Sequence, residues 1–337
     1  MNVHPKLINI IFNIISNREQ AVQIGGCLSD WLLIKSGVPQ GSSISPLLFN
    51  IFINDIFEMK LVSLVVAFAD DLKLYGTPGH QLQIDLNKIL DWSSKNGMVI
   101  NERKCEVIHF GKNNSHFKYS IGSFNLNSKN LIKDLGILID SKLKFVEHLH
   151  LVRSKCHKLT NLIFKIFKIR NAAFYCKLYK IYVIPNIFYG LPIYLTNTCF
   201  CINSIEKIQK YFTRRLYQRC FPNENIPNYI DRIKFFNIPT LESQCLKIDL
   251  CTLFKILKNM IDVPFKPLFS TRNSSRIIYQ PSKSNLFRNS FYHRSLVLWN
   301  KFISSRAGSD SLTYPSFVSY LDKNHSSLFF GSASKAA

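Results

Sequence analysis

Leu64-Val65-Val66-Ala67-Phe68-Ala69-Asp70-Asp71 is an apolar run that stops on two adjacent carboxylates. Its length and its β-branched and aromatic content are those of a strand, and Leu72 to Tyr75 leads away from it, so Leu61 to Tyr75 reads as strand, turn, strand with the acids at the tip. The hairpin is expected to be buried and its tip acidic. Neighbouring carboxylates repel, and a divalent cation removes that penalty. Mg²⁺ is held by one or two carboxylates together with substrate phosphates. Two such ions about 3.5–4 Å apart activate an attacking hydroxyl and stabilise a departing phosphate oxygen. Ala69 is small and leaves room for a close approach to the pair.

Upstream, Gly37-Val38-Pro39-Gln40-Gly41-Ser42 reads as a loop within Ser36 to Ser45, and Pro46 to about Phe57 as a helix with proline in its first turn. Leu47, Leu48, Phe49, Ile51, Phe52 and Ile53 make that helix apolar on nearly every side, which predicts burial. Apolar residues at 7, 8, 10, 11, 14 and 15 give a helix over His4 to Ser16, and Gln20 to Ile34 reads as two short strands around Gly25-Gly26. Downstream, Gln81 to Lys95 is a helix closed by Asn96-Gly97. Strands are expected over Cys105 to Phe110 and Leu135 to Ile139. From about Val146 the chain becomes long, basic and helical. In Leu151 to Arg170, Leu159, Leu162, Ile163 and Ile166 form the expected apolar stripe, with Lys155, Lys158, Lys165 and Lys168 on another face. Further helices are expected over Phe174–Val183, Ile202–Arg219, Leu241–Asn259 and Phe291–Phe302, a loop over 270–290, and a frayed tail after Leu328.

The 337 residues carry a net charge of +22, unevenly distributed. Residues 1–80 hold five Lys/Arg against six Asp/Glu, whereas 151–220 hold thirteen basic residues against Glu206 alone and 263–309 hold eight and no acid. Such an excess repels itself unless an anion binds; nucleic acid is the leading candidate and an anionic membrane surface the weaker one. No apolar run reaches the roughly 18–20 residues that span a bilayer, and Met1 to Ser16 lacks the form of a secretory leader. An intracellular chain in nucleus or cytoplasm, not secreted and without a membrane partner, is expected. The nine cysteines show no Cys-x-x-Cys and no paired Cys/His spacing, so reduced, mostly buried thiols are expected rather than zinc or disulfides.

Gly37 to Ser42, Pro46 to Asp55 and Phe68-Ala69-Asp70-Asp71 resemble motifs B and C of a non-LTR retrotransposon reverse transcriptase of the LINE type, in its jockey or CR-like group. Asn96-Gly97-Met98 with Asn101 to Cys105 resembles motif D, and Leu135 to Asp140 with Phe145 and His148 resembles the motif E hairpin that grips the primer. Phe291 to Trp299-Asn300 resembles the family's C-terminal segment. The resemblance implies an α+β fold: part of the palm of a right-hand polymerase over 1–112, the motif E region over 113–145, a helical thumb over 146–262 and a basic C-terminal segment over 263–337. It implies an RNA-directed DNA polymerase, a nucleotidyltransferase that adds a dNTP to a primer 3′-hydroxyl with two Mg²⁺ ions on an RNA template. Asp70 and Asp71 would be catalytic metal ligands, and Lys104 would lie near the triphosphate. Gly37, Pro39, Gln40 and Gly41, with Phe68 and Ala69, would shape the substrate site. Lys155, Lys158, Lys165, Lys168, Arg214 and Arg215 would hold the RNA–DNA hybrid by its phosphates.

Nothing between Met1 and Gly37 has the form of motif A, whose aspartate bridges both metals in the family. Asp30, in Leu28-Ser29-Asp30-Trp31, is too close to Gly37 to replace it. The expectation is therefore a truncated enzyme, inactive alone and with weakened metal binding, whose palm presents an unpaired apolar edge along Leu64 to Phe68 that invites aggregation or a partner chain. The alternative is a non-catalytic remnant of a mobile element that binds RNA or RNA–DNA hybrid. A group II intron maturase is the weaker third reading.

Overall fold

The computed structural model describes residues 3–76, 78–196, 198–263, 268–269, 276–278, 284–304 and 313–324. Most of the loop expected over 270–290, and all of the tail after Leu328, lie outside the described residues. The chain divides into two compact units, Met1–Lys129 and Asn130–Ala337.

The first unit opens with helix α1 (Pro5–Ile15), capped by the His4 side chain and with no buried residue. Two antiparallel pairs follow, β1 (Arg18–Gln20) with β4 (Leu32–Ile34) outside β2 (Gln23–Ile24) with β3 (Cys27–Leu28). Helices α2 (Ser45–Ile53) and α3 (Asp55–Glu58) replace the single expected helix. Strands β5 (Leu64–Phe68) and β6 (Asp71–Tyr75) form an antiparallel hairpin, and helix α4 (Gly79–Lys95) packs behind it. Gly97, at φ +67°, ends α4: its N–H reaches Ser94 O and that of Met98 reaches Ser93 O, which satisfies the last carbonyls. Beyond it, β7 (Glu106–Val107) pairs with β10 (Asn127–Ser128) in parallel, around the hairpin β8 (Ser120–Ile121) and β9 (Phe124–Asn125). The strand expected over Cys105 to Phe110 thus shrinks to two residues, and each described sheet of this unit has two strands.

The core here is small: Ile53, Ile56 and Ile89, with Phe49, Val65, Leu72, Leu74 and Trp92 packed around them. The expected burial of α2 is corrected. Leu47, Ile51 and Phe52 are exposed, because only one side of the helix meets the hairpin and α4. The β5–β6 hairpin is likewise half-buried rather than buried, with Val65 and Ala67 turned inward and Leu64, Val66 and Phe68 outward.

The second unit begins with hairpin β11 (Leu131–Asp134) and β12 (Ile137–Asp140). Leu135 and Gly136, both at positive φ, are its turn, so the strand expected over Leu135 to Ile139 starts two residues late. Asp140 accepts from the N–H groups of Lys142, Lys144 and Phe145 and folds the chain into α5 (Val146–Ile166). Then come α6 (Ala172–Leu178), a π-helical turn at Tyr179–Val183, α7 (Ile184–Phe188) and α8 (Leu191–Tyr194). Long helix α9 (Cys199–Cys220) crosses α5, and α10 (Tyr229–Phe235) and α11 (Leu241–Leu257) pack on α9. One core gathers Leu149, Val152, Cys156, Ile163 and Phe164 of α5 with residues of α6 to α9 and the start of α11. A second joins Leu253 and Phe254 of α11 to Leu296, Trp299 and Phe302 of α13 (Phe291–Ser304) and to Phe317 of α14 (Tyr314–Lys323). Short α12 (Asn285–Arg288) precedes α13, and β13 (Leu268–Phe269) pairs with β14 (Ile277–Ile278). Asn300 holds β14 by accepting from Ile277 N and donating to Ile277 O.

The apolar stripe of α5 is corrected too. Leu162 and Ile166 are exposed, and the buried face runs through His148, Val152, Cys156, Thr160 and Ile163. Helix α5 ends at Ile166, so Lys168 lies past it. The nine cysteines are free: Cys156, Cys201 and Cys245 are buried, Cys27 and Cys199 exposed, and the rest half-buried.

Candidate active site

The hairpin register pairs Phe68 with Asp71, which leaves Ala69 and Asp70 as a two-residue turn. Such turns place at least the first central residue at positive φ, and Ala69 sits at +52°. An alanine there is strained by about 1–2 kcal/mol relative to the right-handed region. Asp70 and Asp71 are exposed, and neither carboxylate makes a hydrogen bond or ion pair among the described residues. Two uncompensated acids on a tight turn suit a hard cation that completes its shell with water and substrate oxygens. Among the described residues no group of three His, Cys, Asp or Glu side chains converges on a metal position. The donor set therefore fits Mg²⁺ carried by the pair and a phosphate ligand, not an all-protein cage.

What fixes the hairpin was not foreseen from the sequence. Asp85 of α4 is fully buried. Its Oδ2 accepts from Val62 N at 2.9 Å and Ser63 N at 2.7 Å, and Lys88 Nζ stands 3.3 Å from its Oδ1. Burial pushes the carboxyl up, but the hydrogen bonds from Ser63, Lys88 and Val62 outweigh it and hold Asp85 below the usual carboxylate range. The signal was present: an aspartate on the buried face of an amphipathic helix needs donors, and backbone at the start of a strand supplies them.

The Gly37–Gly41 loop is tied down at its first and its central residue. Arg18 Nη2 donates to Gly37 O at 2.5 Å, and Ser45 Oγ, buried at the start of α2, donates to Pro39 O at 2.5 Å. Gly37 and Gly41 lie at φ +81° and +83°, where glycine alone is unstrained. The Gln40 side chain is exposed. No hydrogen bond or ion pair joins this loop to Asp70 or Asp71 among the described residues. Lys104 ends a 3₁₀ turn over Glu102–Lys104 and is exposed.

In the second unit, Lys155, Lys158 and Lys165 are exposed on α5, Lys168 follows its end, and Arg214 is exposed on α9. Arg215 is engaged within the fold. It donates to Asn161 Oδ1 at 2.7 Å and Tyr211 Oη at 3.1 Å, and its guanidinium lies over the Phe164 ring. It ties α9 to α5, which its place in a basic run did not announce. No described helix is long and apolar enough to cross a membrane.

The sequence model of the family described as reverse transcriptase (RNA-dependent DNA polymerase) matches residues 2–166. An uncharacterized protein of Caenorhabditis elegans is 32% identical over 148 residues, 44% of this chain and 73% of that protein. The RNA-directed DNA polymerases from mobile element jockey of Drosophila funebris and Drosophila melanogaster are 26% and 27% identical over 230 and 231 residues. Each of those alignments covers 63% of this chain but 25% of the jockey protein, so the chain spans a part of those relatives.

Proposed function

The chain belongs to the reverse transcriptase (RNA-dependent DNA polymerase) family, with relatives among non-LTR retrotransposons, and on that premise we propose that the Asp70–Asp71 turn is the metal-binding end of an RNA-directed DNA polymerase site. The observation that carries this reading is the exposed, uncompensated carboxylate pair on a strained turn, anchored from behind by buried Asp85. Asp70 and Asp71 hold the cation, and Ala69 keeps the approach to them open. Held there by Asp70 and Asp71, Mg²⁺ would supply Lewis-acid activation of a primer 3′-hydroxyl and charge stabilisation for the departing pyrophosphate. The loop of Gly37, Pro39, Gln40 and Gly41 bears on the template base and the incoming dNTP, and Lys104 offers a cation to the triphosphate. Residues 1–112 act as palm, 113–145 as the primer-gripping region, 146–262 as thumb and 263–337 as a basic extension. Lys155, Lys158, Lys165, Lys168 and Arg214 hold the template–primer hybrid by phosphate contacts.

Primer extension on poly(rA)/oligo(dT) with Mg²⁺ or Mn²⁺, beside an Asp70→Ala, Asp71→Ala control, tests the assignment. Extension that disappears in the control supports the assignment, at a rate far below that of a complete two-ion site because no third carboxylate converges on the pair among the described residues. Failure of both proteins to extend, with hybrid binding retained, would leave the second reading, a hybrid-binding chain without synthesis. The thirteen basic residues against one acid over 151–220 favour that reading as the fallback.

A further inference from the structure

The second unit contains a cavity of about 300 Å³ between its two cores, bounded by α9, α11 and α13. Its exposed wall is mostly apolar, with Ile205, Leu246, Val297 and Leu298 in it, and the His293 imidazole also lines it. Arg294 and Asp249, both buried, brace it from one side. Arg294 Nε donates to Asp249 Oδ2 at 2.7 Å and Nη2 to Oδ1 at 3.0 Å, and the remaining donors reach the carbonyls of Pro192, Leu195 and Asn289. That guanidinium is fully used inside the fold and makes the wall rigid rather than available.

At the mouth stand Arg288 and Lys301, both exposed, and neither side chain has a hydrogen-bond or ion-pair partner among the described residues. Glu242 is the exposed acid on the α11 side. The stretch that supplies the cations, residues 263–309, carries eight basic residues and no acid. An apolar slot of this size with free cations at its lip matches a ligand with a flat, weakly polar body joined to an anion. A cavity of about 300 Å³ lies at the small end of ligand pockets, too narrow for a duplex. Unstacked bases of single strands are bound by insertion against apolar or guanidinium surfaces while their phosphates meet Lys and Arg.

We propose that this cavity is a binding site for one unpaired nucleotide of a single-stranded nucleic acid, the base seated between α11 and α13 and its phosphate on Arg288 and Lys301. Glu242 accepts from an exocyclic amino group of the base, so adenine and cytosine are held better than uracil or thymine. The site needs neither Asp70 nor Asp71 and stands apart from the polymerase assignment.

The test is fluorescence anisotropy of the full chain with a labelled twelve-nucleotide oligo(dA) and with an abasic strand of the same length and charge. The base-bearing strand is expected to bind at least fivefold more tightly. Val297→Trp, which fills the slot, should reduce oligo(dA) binding to the abasic level and leave abasic binding unchanged. Arg288→Glu with Lys301→Glu should weaken both strands about tenfold or more. Equal affinity of the unmodified chain for the two strands overturns the proposal, as does a folded Val297→Trp variant that binds oligo(dA) normally. Should that variant fail to fold, photo-crosslinking the unmodified chain to an oligo(A) RNA bearing 8-azidoadenosine decides. Crosslinks in α11 or α13 support the site, and crosslinks confined to 146–166 overturn it. Displacement of oligo(dA) by an acidic, leucine-bearing peptide at lower concentration than by unlabelled oligo(dA) overturns it in favour of a protein partner. The Asp70→Ala, Asp71→Ala chain must bind oligo(dA) normally, which separates this site from any failure of synthesis.

Discussion

Asp85 shows how one side chain sets the position of a turn it does not touch. Its carboxylate takes two backbone N–H groups just before β5 and so fixes where the strand begins. Asp85→Asn keeps the shape but turns an obligate acceptor into a group that also presents donors, and a buried unsatisfied donor or acceptor costs about 1–3 kcal/mol. The pH dependence has a definite sign. Because the folded carboxyl lies below its unfolded value, Asp85 stabilises the fold above the unfolded pKa of about 3.9. That contribution is lost as pH falls through the folded value. Urea midpoints from pH 7 to pH 3 should show a shallower acid limb for Asp85→Asn than for the unmodified chain. Parallel curves would remove Asp85 from this role.

At the scale of elements, the β11–β12 hairpin is held by three separate devices. Tyr189 Oη donates to Leu135 O at 2.7 Å across the turn, and Leu138 N donates to His148 Nδ1 at 3.3 Å from α5. Gly190, at φ +66°, is the third: a Cβ there would fall 2.4 Å from Ile137 Cδ1, so any side chain would push the buried Ile137 aside and strain the backbone where α8 starts against β12. Burial holds the His148 imidazole below the ordinary histidine range. The unfolded chain therefore takes up a proton at about pH 6.5 that the folded chain refuses, and stability falls as pH drops through that value. Protonation at Nδ1 would also break the bond to Leu138. Tyr189→Phe removes a bond worth about 0.5–1.5 kcal/mol and keeps the ring. Amide exchange over Ile132 to Ile139, corrected for intrinsic rates, should speed up in Tyr189→Phe and, for the unmodified chain, at pH 5.5 relative to 7.5. Unchanged protection in both would mean the hairpin needs neither clamp.

For the molecule as a whole, charge and apolar exposure make separate predictions. If about five cations contact phosphates, log K for hybrid binding should fall with log salt at a slope of about −0.7 to −0.9 per contact. A flat response would exclude phosphate-led binding. The first unit exposes Leu7, Ile8, Ile10 and Phe12 on α1 and Leu64, Val66 and Phe68 on β5, and among the described residues no third strand pairs with that hairpin. Apolar surface and an open strand edge of this kind drive association. Light scattering at tens of micromolar should show oligomers or aggregates, and a monodisperse monomer would contradict that expectation.

The Asp70–Asp71 turn, the loop around Gln40 and the basic helices were legible from residue types alone. Adjacent carboxylates, positive-φ glycines and one-sided charge are local properties with local physical consequences. The helix over residues 79–95 and its Asn96-Gly97 stop were equally plain, because the stop is made of the hydrogen bonds of its own last turn. Which face of α5 is buried was not legible. Leu162 and Ile166 look like core and are exposed, while His148, Cys156 and Thr160 are buried, because the face is chosen by the helices that cross it and not by its own hydropathy. The same holds for Asp85, Arg215 and the Arg294–Asp249 pair, whose partners lie 22, 54 and 45 residues away in sequence. Sequence determined where the carboxylate turn, the glycine loop and the basic helices lie along the chain. The tertiary structure decided which polar groups are consumed in holding it, because a buried charge is stable only where distant chain brings its donors or acceptors within reach.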